Sequence, residues 1–252
     1  TYVFERDGRM YEGRASYFAT IDALDFTPSR TIDRPADGEP AMGRLLSSTE
    51  TRRCFSCHTT VFSTRPPSAV VDVVPGVTCE ACHGPGRIHV EAMRKDKEEQ
   101  GLAAIVNPAP FNPIDSVDFC GACHATYWDV TLAGEKGISA LRSQPFRLQS
   151  SRCWGDGDRR ITCVACHNPH EPLERDARVY DERCLTCHRA ADAAAAPARP
   201  TTNLIGASSP HAPACRARAR EQCASCHMPK YKVPQMHFSF TDHLIRVVRA
   251  AE

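Results

Sequence analysis

The stretch CVACHNPH, residues 163–170, decides how this chain folds. Two cysteines stand two residues apart, a histidine follows the second directly, and another histidine comes three residues later. The pentapeptide Cys-x-x-Cys-His occurs five more times, as CFSCH at 54–58, CEACH at 79–83, CGACH at 120–124, CLTCH at 184–188 and CASCH at 223–227. These six motifs contain twelve of the 14 cysteines, so they dominate the chemistry of the chain.

Three chemistries use closely spaced cysteines: structural disulfides, zinc sites and covalent c-type haem. Disulfides give no reason for a histidine after every second cysteine. Zinc sites pair two Cys-x-x-Cys units or add a His-x-His spacing, which fits six identical units poorly. Covalent haem uses every part of the motif, because two thiols add to the two vinyl groups and the adjacent histidine binds the iron.

The sequence therefore predicts six haem c groups as cofactors. The predicted thioether cysteines are Cys54, Cys57, Cys79, Cys82, Cys120, Cys123, Cys163, Cys166, Cys184, Cys187, Cys223 and Cys226. The predicted proximal iron ligands are His58, His83, His124, His167, His188 and His227.

Eleven histidines less these six leave five, which are the predicted distal ligands: His89, His170, His211, His237 and His243. A histidine so close to its motif, such as His170, cannot pass through the porphyrin plane to reach the same iron, so it serves another haem or none. Five ligands for six irons leave one short. The sixth iron takes a methionine (Met10, Met42, Met93, Met228 or Met236), takes another group, or stays open. The haem attached through Cys54 is the one expected to lack a distal histidine.

Composition agrees with a haem-filled interior. Leu, Ile, Val and Phe together make up roughly 18% of the 252 residues, too little for an ordinary hydrophobic core.

A net charge of +1 gives no indication of nucleic acid binding. No apolar run is long enough to cross a bilayer, so no transmembrane segment is expected. The start at Thr1 without a signal sequence indicates a processed or trimmed chain.

The expected fold is mostly irregular, with short α-helices, little β-structure and haems at its core, because 19 prolines and scattered glycines interrupt the chain. We expect a single domain over residues 1–252. Its N-terminal segment, 1–50, carries a hairpin around Asp7-Gly8, and residues 189–213 form a flexible excursion. The strongest helix prediction covers residues 89–106. Cys153 and Cys215, outside the motifs, are expected to pair as a disulfide in an oxidising compartment.

The sequence resembles multihaem c-type cytochromes related to the tetrahaem cytochrome c of nitrifying bacteria. The resemblance covers most of residues 52–249 and rests on RCFSCHTT, GVTCEACHGPGRIHV, DFCGACH, TCVACHNPHEP, CASCHMPK and FTDHLIRVVR. It implies distal-ligand roles for His89, His170 and His243, with His211 matching a histidine upstream of CHMPK. It also implies export to the periplasm or the extracellular space, and some members keep one five-coordinate haem.

The leading hypothesis is an electron-transfer protein with closely packed haems that exchanges electrons with redox partner proteins. One variant of this hypothesis is a homopolymer, an extracellular cytochrome filament. The competing hypothesis is an oxidoreductase acting on a small nitrogen or sulfur compound at the haem without a distal histidine. A haem-storage or structural role is a third interpretation. No motif has the lysine found in pentahaem nitrite reductases, and two haems fewer are expected than in octahaem hydroxylamine oxidoreductases, so electron transfer is favoured.

Overall fold

The computed structural model describes residues 1–28, 38–66, 69–155, 157–158, 160–188 and 221–247. His211, Cys215 and the predicted excursion over 189–213 lie outside these residues. The chain divides into two compact units, Thr1–Pro110 with Lys232–Ser239, and Phe111–Tyr231 with Phe240–Glu252. The expectation of a single domain over residues 1–252 stays a prediction.

The first unit begins with small antiparallel sheets. Strands β1 (Val3–Arg6) and β2 (Arg9–Gly13) pair on either side of Asp7 and Gly8, where the sequence predicts a hairpin. Both turn residues have positive φ, 52° and 71°, which glycine and aspartate tolerate. Strand β2 also pairs with β5 (Gly43–Leu45), which follows helix α1 (Gly38–Met42), and β3 (Ala15–Phe18) pairs with β4 (Ala23–Phe26).

Two haem motifs follow in this unit. Helix α2 (Ser48–His58) starts at a capping box made by Ser47 and Glu50 and ends in the first motif. Strands β6 (Thr59–Arg65) and β7 (Ala69–Pro75) then form a hairpin that leads to α3 (Cys79–His83), the second motif. The valine-rich sequence of β7 suits a strand, because β-branched side chains pack well on a pleated surface.

The single helix predicted over 89–106 is wrong. Helix α4 (Arg87–Met93) and helix α5 (Glu98–Ala103) replace it, separated by a turn in which Asp96 takes a φ of 55°. The turn lets α5 pack back on α4, where a Cβ at Gly101 would stand 2.7 Å from the Met93 sulfur. Glycine lets the two helices approach closely without displacing the end of the Met93 side chain, and tertiary packing overrides the helical propensity of the segment.

The second unit is mainly helical. Its elements are α6 (Pro113–His124), α7 (Tyr127–Leu132), α8 (Ile138–Leu141), α9 (Gln144–Gln149), α10 (Cys163–Cys166), a 3₁₀ turn (Ala177–Tyr180), α11 (Asp181–His188) and α12 (Cys223–His227). A small core of Val117, Leu148 and Trp154 holds it together, and Ile161, Cys163 and Ile245 pack against that core.

A last sheet of β8 (Lys230–Val233) and β9 (Phe238–Thr241) encloses a 3₁₀ turn (Pro234–Met236). The described residues thus contain nine strands in four small sheets. The expectation of short helices is confirmed, since the longest described helix has 12 residues. The expectation of little β-structure needs correction, because hairpins connect or flank several motif helices.

Candidate haem centres

Each motif places its two cysteines in one helical turn, and its histidine ends that turn or, for His167, follows it directly in extended conformation. Three motifs end a longer helix (α2, α6 and α11), and the other three are short helices of their own (α3, α10 and α12). None of the thirteen described cysteines forms a disulfide with another described cysteine. In the described part of the chain, no three His, Cys, Asp or Glu side chains converge on one metal position. The cysteines stand in pairs beside one histidine, which is the donor set of haem c and not that of zinc.

The surroundings of the fourth motif fit a haem. A cleft of about 430 Å³ opens beside Cys166 and His167. Leu173, Val179 and Tyr180 give it apolar walls, and Arg183 at its edge suits a propionate carboxylate. A bound haem supplies one-electron Fe(III)/Fe(II) chemistry, and Cys163, Cys166 and His167 are the residues that would hold it.

Backbone carbonyls orient the ring of two proximal histidines. The Nδ1 of His83 lies 2.8 Å from the carbonyl oxygen of Val106, and the Nδ1 of His227 lies 2.9 Å from that of Arg246. An Nδ1–H that donates to a carbonyl leaves the Nε2 lone pair for iron and fixes the ring plane.

Two predicted distal ligands show the same arrangement. The Nδ1 of His89 lies 2.9 Å from the Gly101 carbonyl oxygen, and the Nδ1 of His243 lies 3.0 Å from that of Thr241. Both rings are partly buried. Their Nε2 atoms are thereby prepared for a metal in the way that the proximal histidines are.

His243 faces the proximal histidine of the fourth motif. The ring centroids of His167 and His243 are 6.3 Å apart, with an angle of 44° between the ring planes. Two imidazoles on opposite sides of one iron have centroids about 6 Å apart, since each metal–nitrogen bond is about 2 Å. Burial lowers the pKa of both histidines and favours the neutral form that binds metal.

A buried ion pair supports His243. Asp242, which is completely buried, accepts two hydrogen bonds of 2.8 Å from the Arg147 guanidinium and further ones from Arg246 and the Leu244 N–H. Burial alone raises the pKa of Asp242, but these donors outweigh it and hold the pKa at about 2. Ser151 also donates to the His243 carbonyl oxygen at 3.3 Å. Sequence analysis missed Arg147 and Asp242, although Asp242 stands beside a predicted ligand.

The remaining spare ligands have different surroundings. The Nε2 of His237 lies 2.7 Å from a carboxylate oxygen of Asp25, and its ring packs edge-to-face on Phe18. His170 is exposed in a turn where its backbone N–H donates to the side-chain oxygen of Asn168. Among the methionines, Met10 is buried, whereas Met42 and Met93 are about two-fifths exposed.

Motifs also meet one another in pairs. The Cys163 thiol donates a hydrogen bond to the Cys120 sulfur, which lowers the pKa of Cys120 and raises that of Cys163, so the first cysteines of the third and fourth motifs are in contact. The Cys184 thiol likewise donates a hydrogen bond to the Cys223 sulfur, so the fifth and sixth motifs are also in contact. Asp181 reinforces this second pair, as its carboxylate accepts the N–H groups of Gln222 and Cys223 at 2.7 Å each. No local sequence pattern indicates this role of Asp181.

In the described residues, no helix is both long and apolar enough to cross a membrane. Among curated proteins and among solved structures, no match to this chain was found. Two family models do match it: cytochrome c554 and c-prime over residues 14–84, and cytochrome c3 over residues 155–237. Both describe proteins with c-type haem, and the matched stretches contain five of the six motifs in full. Together with the motif geometry, these matches identify the chain as a multihaem c-type cytochrome, a protein that transfers electrons through c-type haems.

Proposed function

We propose that the chain carries six haem c groups, one per motif, and that electrons pass along them between redox partner proteins. The observation that carries the proposal is the recurrence of one donor set at all six motifs: two cysteines on one helical turn, and a histidine that ends that turn or follows it directly. Axial ligands and burial then tune the potential of each iron.

Contacts between motifs support a conducting arrangement. Cys120 contacts Cys163, and Cys184 contacts Cys223, so haems held by these cysteines would be attached at neighbouring points of the chain. In the first unit, the hairpin β6–β7 joins the first two motifs directly, and the Gly76 N–H donates to the His58 carbonyl oxygen. Adjacent haem edges favour electron exchange without a diffusing carrier.

Five spare histidines complete the proposed ligand set, with His211 outside the described residues. In this assignment, His243 binds the iron of His167, and His89 and His170 serve irons of other motifs. His237 is proposed as a ligand through Nδ1, because Asp25 engages its Nε2. The iron of the first motif keeps a non-histidine sixth ligand or an open position.

A second candidate function follows from that deficit of one histidine. An open iron can bind and reduce or oxidise a small nitrogen or sulfur compound, whereas an iron with two axial histidines only exchanges electrons. If Asp25 instead holds His237 away from every iron, the deficit grows to two histidines, which would leave a further iron open to such a compound.

Two measurements test both candidates. Intact-mass spectrometry of the haem-loaded protein should show the added mass of six haems, and a smaller number would overturn the proposed cofactor count. Electron paramagnetic resonance of the oxidised protein, with carbon monoxide added to the reduced form, counts open irons. If every iron is low-spin and none binds carbon monoxide, the result supports electron transfer alone. One high-spin iron per chain that binds carbon monoxide favours the oxidoreductase, to be assayed with nitrite and hydroxylamine.

The proposed location is the periplasm or the cell exterior, because the cytochromes that the two matching family models describe are typically exported. Assembly into an extracellular filament is the homopolymer variant of the proposal. Electron microscopy of the purified protein decides it. Extended polymers with a regular repeat support the filament, and uniformly dispersed particles exclude it.

A further inference from the structure

A cleft of about 330 Å³ lies in the second unit, formed by side chains of α6, α7 and α9 and by Trp154. Its described lining contains no motif residue, and consists of Ile114, Asp118, Tyr127, Trp128, Gln149 and Trp154. Neither the haem motifs nor the spare histidines account for this combination of aromatic rings and polar groups.

Helix α6 separates the cleft from its own haem motif. Asp118 precedes Cys120 by two residues, which on an α-helix is a rotation of about 200°. Cys123 and His124 fall on the same far side, about 140° and 240° from Asp118. The cysteines and the histidine of the third motif therefore point away from the cleft, so its function does not depend on the number of haems.

The floor of the cleft is rich in hydrogen-bond acceptors. The Gln149 side chain hydrogen-bonds to the Asp118 carboxylate. The other carboxylate oxygen, Asp118 Oδ1, and the amide oxygen, Gln149 Oε1, are buried and have no hydrogen-bond partner among the described residues. Leaving such acceptors unsatisfied is costly, so the site favours a ligand that brings N–H or O–H donors.

The electrostatics and the walls favour a cation. Burial raises the pKa of Asp118, and the nearby carboxylates of Asp115 and Asp129 raise it further. A positive charge beside Asp118 would relieve this repulsion. Trp128 is 61% exposed at the cleft, and the Tyr127 ring meets it edge-to-face with centroids 5.5 Å apart. Indole and phenol faces attract cations and also cover alkyl groups.

We propose that this cleft binds a small protonated primary amine. Its ammonium hydrogens donate to Asp118 Oδ1 and Gln149 Oε1, and its alkyl chain packs against Trp128, Tyr127 and Ile114. Other ligand classes fit less well. An anion is repelled by the Asp118 carboxylate, an alcohol brings one donor for two acceptors, and Ca²⁺ or Mg²⁺ needs more oxygen ligands than the cleft offers.

The test is isothermal titration of the haem-loaded protein with n-butylammonium chloride. Saturable binding of one equivalent is expected, and butan-1-ol, which has the same chain without the charge, should bind at least tenfold more weakly. Asp118→Asn should weaken butylammonium binding at least tenfold, because it removes the charge and puts a donor where an acceptor is needed. Asp115→Asn removes the same charge one turn earlier on α6, outside the cleft lining, and should change binding less than threefold.

Two further readouts keep the result unambiguous. Amines can also ligate iron, so the Soret band and the paramagnetic resonance spectrum should stay unchanged at saturation, and a spectral change that tracks binding would overturn the proposal. Trp128→Ala alters an exposed side chain and should also weaken binding, which provides a second variant if Asp118→Asn does not fold. The proposal is also overturned if the parent protein shows no heat of binding, or if Asp118→Asn and Trp128→Ala both bind butylammonium as tightly as the parent protein.

Discussion

The carboxylate of Asp181, at the start of the fifth motif's helix, accepts a 2.7 Å hydrogen bond from the backbone N–H of Cys223, the first residue of the sixth motif's helix. Its other oxygen accepts the Gln222 N–H at the same distance. One buried side chain thus satisfies two backbone donors at the start of α12 and ties two haem attachment segments together.

Asp181→Asn should destabilise the protein by about 1–3 kcal/mol, because asparagine offers one acceptor oxygen and turns an N–H donor toward a second N–H. Thermal unfolding measures the loss. Hydrogen exchange at the Gln222 and Cys223 amides should accelerate locally. Glu182→Gln, an exposed change in the same helical turn, is the matched control and should leave both readouts near the parent values. Unchanged exchange at Cys223 in Asp181→Asn would contradict the bridging role.

His243→Ala should convert one low-spin iron per chain to a high-spin iron that binds carbon monoxide, since the iron of His167 loses its second imidazole. Paramagnetic resonance and the reduced carbon monoxide difference spectrum measure this. His237→Ala is the informative comparison. An equal conversion there establishes His237 as a ligand as well, whereas an unchanged spectrum shows that its role is the contact with Asp25. If His243→Ala leaves every iron low-spin, its assignment is wrong.

Arg147→Ala should destabilise the protein by about 3–5 kcal/mol, because it leaves the fully buried carboxylate of Asp242 with an incomplete set of donors. Urea unfolding measures the change. Arg147→Lys keeps the charge but loses the bidentate contact with Asp242. Its unfolding free energy should lie between those of the parent protein and Arg147→Ala. The control is Arg178→Ala, which breaks an exposed pair with Asp176 and should cost about 1 kcal/mol or less. Equal effects of both alanine variants would contradict the importance of the buried pair.

The capping box at α2 makes stability depend on pH. Hydrogen bonds from the Ser47 backbone and from Arg44 lower the pKa of Glu50 to about 2, against an ordinary value of 4.5. The ionised carboxylate therefore stabilises the fold above about pH 4.5, and this contribution is lost as the pH falls toward 2.

Glu50→Gln should remove that dependence. Urea unfolding measures the free energy of unfolding at pH 6 and at pH 3. Between these pH values the parent should lose more of it than the variant does. The difference should be at most about 1 kcal/mol, since 42% of the Glu50 side chain is exposed. Glu91→Gln, which breaks an exposed pair with Arg87, should retain the parent's full pH dependence. A parental slope in Glu50→Gln would show that the cap does not titrate in this range.

The haem chemistry could be predicted from sequence, and the supporting contacts could not. In a motif such as CVACH at 163–167, both cysteines lie in one helical turn and the histidine follows it directly, so the spacing alone indicates the ligands. The residues that position the ligands come from far away: Arg147 and Asp242 are 95 positions apart, and Asp181 and Cys223 are 42 apart. Local patterns carry no information on such pairs.

The helix predicted over 89–106 failed for a related reason. Periodicity and charge spacing favour one continuous helix there, but the close approach at Gly101 and the left-handed turn at Asp96 break it into two. A helix crossing is decided by the partner that a segment packs against, and intrinsic propensity is too small, under about 1 kcal/mol per residue, to resist it.

The sequence by itself determined that this protein is a multihaem c-type cytochrome, because attachment of each haem needs only five consecutive residues. Only the tertiary structure decided that His243 stands opposite His167, that Cys120 meets Cys163, that His237 contacts Asp25, and that an acceptor-lined aromatic cleft forms behind α6. Those relationships join residues distant in the chain, and they arise from packing, which no local spacing of residues encodes.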